Sequence, residues 1–229
     1  MLIHQITDLH VPDDDADPRF AHVFENVRRQ LRYIESARPD LLVITGDLSM
    51  TDHSETACRW IHDRLPELPV IVIPGNHDDP AMIRQIFGAW PEQMTEASWT
   101  LVFLDSSPDE LPAGQIDILA AVPETPRALL FVHHPPHLIG AGFMSINQPL
   151  RNHETAAKAI AKSSIRHVFC GHYHNVAHER CDGFELYLTP SPAFQIALEK
   201  EPFTPEEFQP AVRTIALGST GLSTELVYV

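Results

Sequence analysis

The stretch Val70–Asp79 reads VIVIPGNHDD, and the fold turns on how it is read. Its first four residues are apolar and β-branched without a break, which suits a strand buried on both faces of a sheet. Pro74 and Gly75 then stop the strand. Asn76, His77, Asp78 and Asp79 follow at once, side chains able to hold a metal or move a proton. Open α/β sheets place their ligands at the carboxyl ends of such strands. Taken alone, Asn-His-Asp suits a helix-capping turn equally well. Repetition along the chain separates the two readings.

Working outward, Leu2 to Thr7 predicts a strand that ends in Asp8-Leu9-His10. Residues two apart on a strand share a face, so Asp8 and His10 can turn toward one point. Leu41 to Thr45 predicts a buried strand closed by Gly46-Asp47. Leu129 to Val132 runs into His133-His134-Pro135-Pro136, where the prolines forbid helix and stiffen the loop. Ile165 to Cys170 ends in Gly171-His172-Tyr173-His174, and Trp99 to Leu104 in Asp105-Ser106-Ser107.

Helical spacing fills the intervals: from Pro18 to about Arg38, from a Ser54 cap through Leu65, from Pro80 toward Phe87, over Gln115 to Ala121, and from an Asn152 cap to Lys162. Asp182-Gly183 marks a hairpin turn, and a last hairpin is expected over 211–229. Segment 136–151 has little periodicity and two glycines, Gly140 and Gly142, which predicts a functional loop such as a lid. Strand and helix alternate through the first two-thirds. With no linker or repeat, residues 1–229 are expected to form one α/β domain.

A net charge of −15, from 16 basic and 31 acidic residues, argues against nucleic-acid polymers and anionic membranes as partners. It leaves a small anion open as substrate, because a bound metal reverses the local field. Three cysteines without metal-type spacing fit a reducing compartment. No signal peptide or membrane span is expected from the sequence, so a cytoplasmic location is the expectation.

Together the strand ends supply Asp8 and His10, Asp47, Asn76 with His77, His133, and His172 with His174. Imidazole, carboxylate and amide oxygen without thiolate suit zinc, manganese or iron. Asp47, alone at its strand end, is the natural bridge between two cations, since a carboxylate has lone pairs for both. Two ions about 3.5–4 Å apart polarise a phosphoryl group and generate hydroxide near neutral pH. The other histidines fit no motif; His53 and His137 could approach the site from loops.

The order D-x-H, G-D, G-N-H-D, H-x-P and G-H-x-H, from Asp8 to His174, resembles the calcineurin-like metallophosphoesterase superfamily. GDLSMTDHS, LDSS at 104–107, LRN at 150–152 and TPSPAFQ at 189–195 are similar to its bacterial cyclic-AMP phosphodiesterase branch, which includes glycerophosphodiesterases. The resemblance implies a four-layer αββα sandwich with two central mixed β-sheets flanked by helices. It implies two divalent ions, iron, manganese or zinc, one on Asp8, His10 and His174 and one on Asn76, His133 and His172, with Asp47 between. His77 would face the phosphate with Asn76, as a group that neutralises the transition state or protonates the leaving oxygen. His134 would stand behind the ligands, Asp78 would orient a neighbour, and Asn147 and Asn152 would join the substrate contacts. Met50 stands where related enzymes commonly carry a polar residue.

The implied activity is hydroxide attack on a small phosphodiester, 3′,5′-cyclic AMP first. A glycerophosphodiesterase or phosphomonoesterase on the same ions is the alternative, and a non-catalytic scaffold a further one. A homodimer is among the assemblies the resemblance allows.

Overall fold

Strict alternation of buried side chains builds the molecule in layers. In the strand Leu41–Thr45, Leu41 and Val43 point to one side and Leu42 and Ile44 to the other, all buried. A strand with no wet face must be covered twice. The computed structural model, which describes residues 1–125 and 127–229, shows how.

In chain order the elements are β1 (Leu2–Ile6), α1 (Ala21–Ala37), β2 (Leu41–Thr45), α2 (Glu55–His62), β3 (Val70–Ile73), α3 (Pro80–Phe87), β4 (Gln93–Glu96) and β5 (Trp99–Phe103). There follow α4 (Ala113–Ala120), β6 (Ala128–Phe131), α5 (Phe143–Asn147), α6 (His153–Lys162), β7 (Ile165–Cys170), β8 (Ala177–Arg180) and β9 (Glu185–Leu188). The last strands are β10 (Gln195–Ile196), β11 (Pro205–Glu206), β12 (Ala211–Leu217) and β13 (Leu222–Tyr228).

One mixed sheet has the order β13-β12-β1-β2-β3, the other β4-β5-β6-β7-β9-β8, and β10 pairs β11 apart from both. Within each sheet the site-bearing strands run parallel: β1 with β2, β2 with β3, and β6 with β7. Their carboxyl ends therefore lie on one edge. The C-terminal hairpin joins the first sheet through β12, antiparallel to β1.

Three apolar clusters fill the spaces between layers. Ile3, Val43, Ile73, Leu101, Phe103, Phe131 and Phe169 pack between the two sheets. Ile6, Leu42, Ile44 and Val72 face the outer side of the first sheet and meet Val27, Leu31, Ile34, Ile61 and Ile83 of α1, α2 and α3. Val102, Leu130, Val168 and Cys170 face the outer side of the second and meet Leu119, Met144, Ala156 and Ile160 of α4, α5 and α6. Helix, sheet, sheet, helix is the four-layer order expected.

Several boundaries differ from expectation. The first helix starts at Ala21 because Asp17 forms a turn of its own, its side chain accepting the Arg19 N–H at 3.0 Å. The second ends at His62, where Leu65 N–H turns back to His62 and Pro66 follows. Segment 136–151 contains the short helix α5 and is stitched to the chain around Leu198, with Gly142 N–H on the Leu198 carbonyl at 2.8 Å. Strands β4, β10 and β11 carry no apolar alternation and were not expected. No described helix is long and apolar enough to cross a membrane.

Candidate metal centre

The turns that follow the parallel strands are laced to one another, and this places the side chains. After β1, Asp8 N–H reaches the Gly46 carbonyl at 2.9 Å and His10 N–H the Asp47 carbonyl at 3.1 Å. After β7, Gly171 N–H reaches the His133 carbonyl at 3.0 Å. The two sheets are joined by Asp8 itself, whose carboxylate oxygens accept the His172 N–H at 3.0 and 2.9 Å. Such close approach needs bare backbone: a Cβ at Gly171 would strike Thr7 and the Asp8 carboxylate, and one at Gly75 would strike Asp47. Asp8, His10, Asp47, His172 and His174 all hold positive φ, between 41° and 69°. Strain of that kind persists where surrounding structure imposes it, and it concentrates at functional sites.

Asp8, His10, Asp47 and His174 form one buried cluster whose donor atoms lie within 4.8 Å of one another. His10 Nε2 is 2.9 Å from His174 Nε2 and 3.6 Å from Asp47 Oδ2, and His174 Nε2 is 3.4 Å from Asp8 Oδ1. A second cluster joins His133, His134 and His172. His133 Nε2 lies 3.3 Å from Asp47 Oδ2 and 3.2 Å from Asn76 Oδ1. One oxygen of Asp47 thus faces both His10 and His133.

Carbonyl groups settle which imidazole nitrogens are free. A carbonyl only accepts, so His133 donates Nδ1–H to Thr45 (2.7 Å), His174 Nδ1–H to Phe194 (3.2 Å) and His172 Nε2–H to Gln148 (2.8 Å). In each neutral ring the other nitrogen keeps its lone pair. Nitrogen lone pairs and carboxylate oxygens converging without a thiolate are the donor set of a divalent first-row cation, so the residues present fit such ions.

Burial and neighbouring charges drive the site imidazoles in opposite directions. Burial opposes a charge on His133, but Asp47 and Asp8 outweigh it and raise its pKa to about 9. Burial would raise Asp47, yet His133 and His10 hold it well below the usual carboxylate range. Burial, with His174, lowers His10 to about 3, and burial, with His133, lowers His172 to about 4. Asp78 clamps the Asp47 turn from behind, accepting N–H groups of Asp47 (2.7 Å), Gly75 (2.9 Å) and Leu48 (3.0 Å).

His77 stands at the open side, half-buried, edge-on to His10 with ring centres 5.1 Å apart. Its N–H bonds Asp47 Oδ1 at 3.0 Å, and its Nδ1 meets Asp52 Oδ1 at 2.5 Å. Asp52 was not singled out from the sequence; it lies within GDLSMTDHS, so the segment was marked but the residue was not. Phe194 was missed likewise inside TPSPAFQ: its ring centre is 4.4 Å from that of His174 and 5.6 Å from that of His10.

His134 lies behind the centre, its Nδ1 2.9 Å from Ser106 Oγ and its ring 4.1 Å from that of His172. Asn152 departs from the expected helix cap. Its side chain bonds both the Leu111 N–H (3.0 Å) and the Leu111 carbonyl (2.8 Å), so it does not cap α6 and is held toward Leu111. Asn147 likewise turns its amide back on the Phe143 carbonyl at 3.0 Å.

Known proteins resemble this chain along its length. A protein of Fibrobacter succinogenes named "Probable cyclic nucleotide phosphodiesterase" is 28% identical over 244 residues, covering 100% of this chain and 94% of that one. The 3′,5′-cyclic adenosine monophosphate phosphodiesterase CpdA of Escherichia coli K12 is 30% identical over 249 residues, covering 98% and 88%. A dimetal phosphatase from Danio rerio superposes with a TM-score of 0.69 at 12% identity, over 100% of this chain and 98% of that one, a likeness of fold. With one Asp/His cluster and one of three histidines at the strand ends, and with the calcineurin-like phosphoesterase family model matching residues 1–176, more than half of the chain, this protein belongs to that family, which implies two divalent metals.

Proposed function

We propose that this protein is a metal-dependent phosphodiesterase that hydrolyses a small phosphodiester, 3′,5′-cyclic AMP first. The observation that carries this reading is the position of Asp47, whose Oδ2 lies 3.6 Å from His10 Nε2 and 3.3 Å from His133 Nε2. One carboxylate is shared by two nitrogen-bearing groups from opposite sheets. On this reading Asp8, His10 and His174 hold one ion, Asn76, His133 and His172 the other, and Asp47 both.

When bound, two divalent ions polarise the phosphoryl group and lower the pKa of water. The chain supplies the rest. Thr45, Phe194 and Gln148 carbonyls fix which nitrogen of each ring faces the centre, and on His133 a bound cation would take the place of the proton that Asp47 and Asp8 favour there. With Nδ1–H donated to Asp52, His77 has Nε2 free to carry a proton toward a phosphoryl or leaving oxygen. Asp78 keeps the Asp47 turn in place through three backbone bonds.

A singly charged diester needs less neutralisation than a monoester, and the net charge of −15 disfavours a polyanion. The cyclic nucleotide follows the printed activity of the Escherichia coli relative, as an inference from likeness. The test compares kcat/KM for cyclic AMP, glycerophosphodiesters and aryl monoesters at one manganese concentration. We expect the cyclic nucleotide to lead. Background turnover of it beside efficient turnover of another diester overturns that assignment and keeps the phosphodiesterase.

A further inference from the structure

Phe194 continues outward from the metal centre into a row of rings. Its centre lies 6.3 Å from that of Phe203, which in turn meets Phe143 edge-on at 5.6 Å and 87°. Phe203 is 44% exposed, a high value for a phenylalanine that other rings could have covered. Among the described residues the large exposed apolar side chains are Leu138, Ile146, Val176, Phe203 and Tyr228. All but Tyr228 belong to the loops after β6 and β7, to α5 or to the β10–β11 turn, the segments that carry or adjoin His133, His174 and Phe194. Four of the five thus lie on segments that border the candidate site.

The supporting backbone is built to hold this row. Phe143 N–H bonds the Lys200 carbonyl at 2.9 Å, and Ala197 N–H the Thr204 carbonyl at 2.9 Å, which ties α5 to the β10–β11 turn. Asn175, next to His174, donates to the Ile196 carbonyl at 2.7 Å and to Glu206 at 2.9 Å. Three segments distant in sequence converge to set these rings beside the candidate site.

Resting on the phosphodiesterase reading above, we infer that Phe194 and Phe203, whose planes cross at 62°, form an aromatic platform with a corner, where the planar base of a nucleotide diester stacks on one ring and meets the other edge-on, and so select it over diesters of aliphatic alcohols. Phe194 is one ring away from His174, within reach of a base that is one sugar removed from phosphorus. An aromatic face binds a base through its π-surface without reading its edges, so the platform discriminates base from no base. A glycerol diester of choline offers nothing planar to it.

The experiment measures kcat/KM in manganese for the wild type, Phe194→Leu, Phe203→Leu and Phe203→Trp. The substrates are cyclic AMP, bis(4-nitrophenyl) phosphate and glycerophosphocholine. Stacking of one base is typically worth a factor of about 10 to 100. The ratio of planar to aliphatic substrate is expected to fall by roughly that factor in both Leu variants, chiefly through KM, and to be restored in Phe203→Trp. A ratio unchanged within about threefold in both Leu variants overturns the platform and leaves the phosphodiesterase standing. Should the wild type turn over no phosphodiester, the phosphodiesterase reading fails, and a titration with 2-aminopurine riboside, which has no phosphate, decides the platform. Fluorescence quenching in the wild type that is lost in Phe203→Leu supports it; no quenching in the wild type overturns it.

Discussion

His10 and His174 face each other through their Nε2 atoms at 2.9 Å, although one hangs from the first sheet and the other from the second. His174 has given its Nδ1–H to the Phe194 carbonyl, so its Nε2 brings a lone pair to this contact. A divalent cation taken up by these rings would tie the two sheets together at their common edge. Divalent metal is therefore expected to raise Tm, since a ligand bound only by the folded state stabilises it by mass action. The rise should shrink in His174→Ala. An equal rise in wild type and variant would remove His174 from the binding set.

Asp47 is the residue whose loss should cost most. In Asp47→Ala both groups of donors lose their shared carboxylate, and His10 and His133 lose the charge between them. Bound metal and turnover are expected to fall to near background in a protein that still folds. Near-normal turnover at saturating manganese would show that no bridge is needed.

His77 should separate chemistry from binding. Its removal is expected to lower kcat by about 10²–10⁴-fold with a smaller change in KM, while metal content stays near that of the wild type. Asp52→Asn should give a smaller loss of kcat in the same direction, because it disturbs only the Nδ1 contact. Metal analysis of His77→Ala decides the point: a large loss of ions would make His77 a ligand.

Gly171→Ala places a methyl group against Thr7 and the Asp8 carboxylate. Overpacking of this kind typically costs about 1–3 kcal/mol. Here it also displaces a candidate ligand, so both Tm and manganese affinity should drop. A calorimetric titration that shows wild-type affinity would mean that the turn relaxes without moving Asp8.

His4 lies away from the centre, stacked on Tyr33 with ring centres 5.5 Å apart, and burial lowers its pKa from 6.5 to about 4. Between those values the unfolded chain takes up a proton that the native state refuses. Stability on this account is complete above pH 6.5, declines as pH falls toward about 4, and declines no further below. Denaturant titrations in chelator should show a shallower pH slope for His4→Gln in that window, by up to about one proton. Identical slopes would place the acid sensitivity elsewhere.

The layered fold was legible because each core strand announces itself locally. LLVIT and VIVI read as strands covered on both faces, which holds for all of LLVIT and for Val72 and Ile73 of the edge strand, and the α1 stripe Val23, Val27, Leu31 and Ile34 needs a sheet to rest on. Strands β4, β10 and β11 were hidden because their side chains are largely polar or too few to alternate. They exist by pairing: β4 folds back on the apolar β5 next to it, and β10 takes β11 across a short turn.

For the site the division is similar. Asp8, His10, Asp47, Asn76, His133, His172 and His174 could be picked from the sequence, since each directly follows an apolar strand and parallel strands end on one edge. Sequence alone did not show that Asn152 spends its side chain on Leu111, that Asp52 holds His77, or that Phe194 and Phe203 line up beside His174. Strand ends are local features with a hydrophobic signature. Side-chain partners contributed by loops are set by where the backbone turns, and that depends on long-range bonds such as Gly142 to Leu198, which leave no periodic trace in the chain.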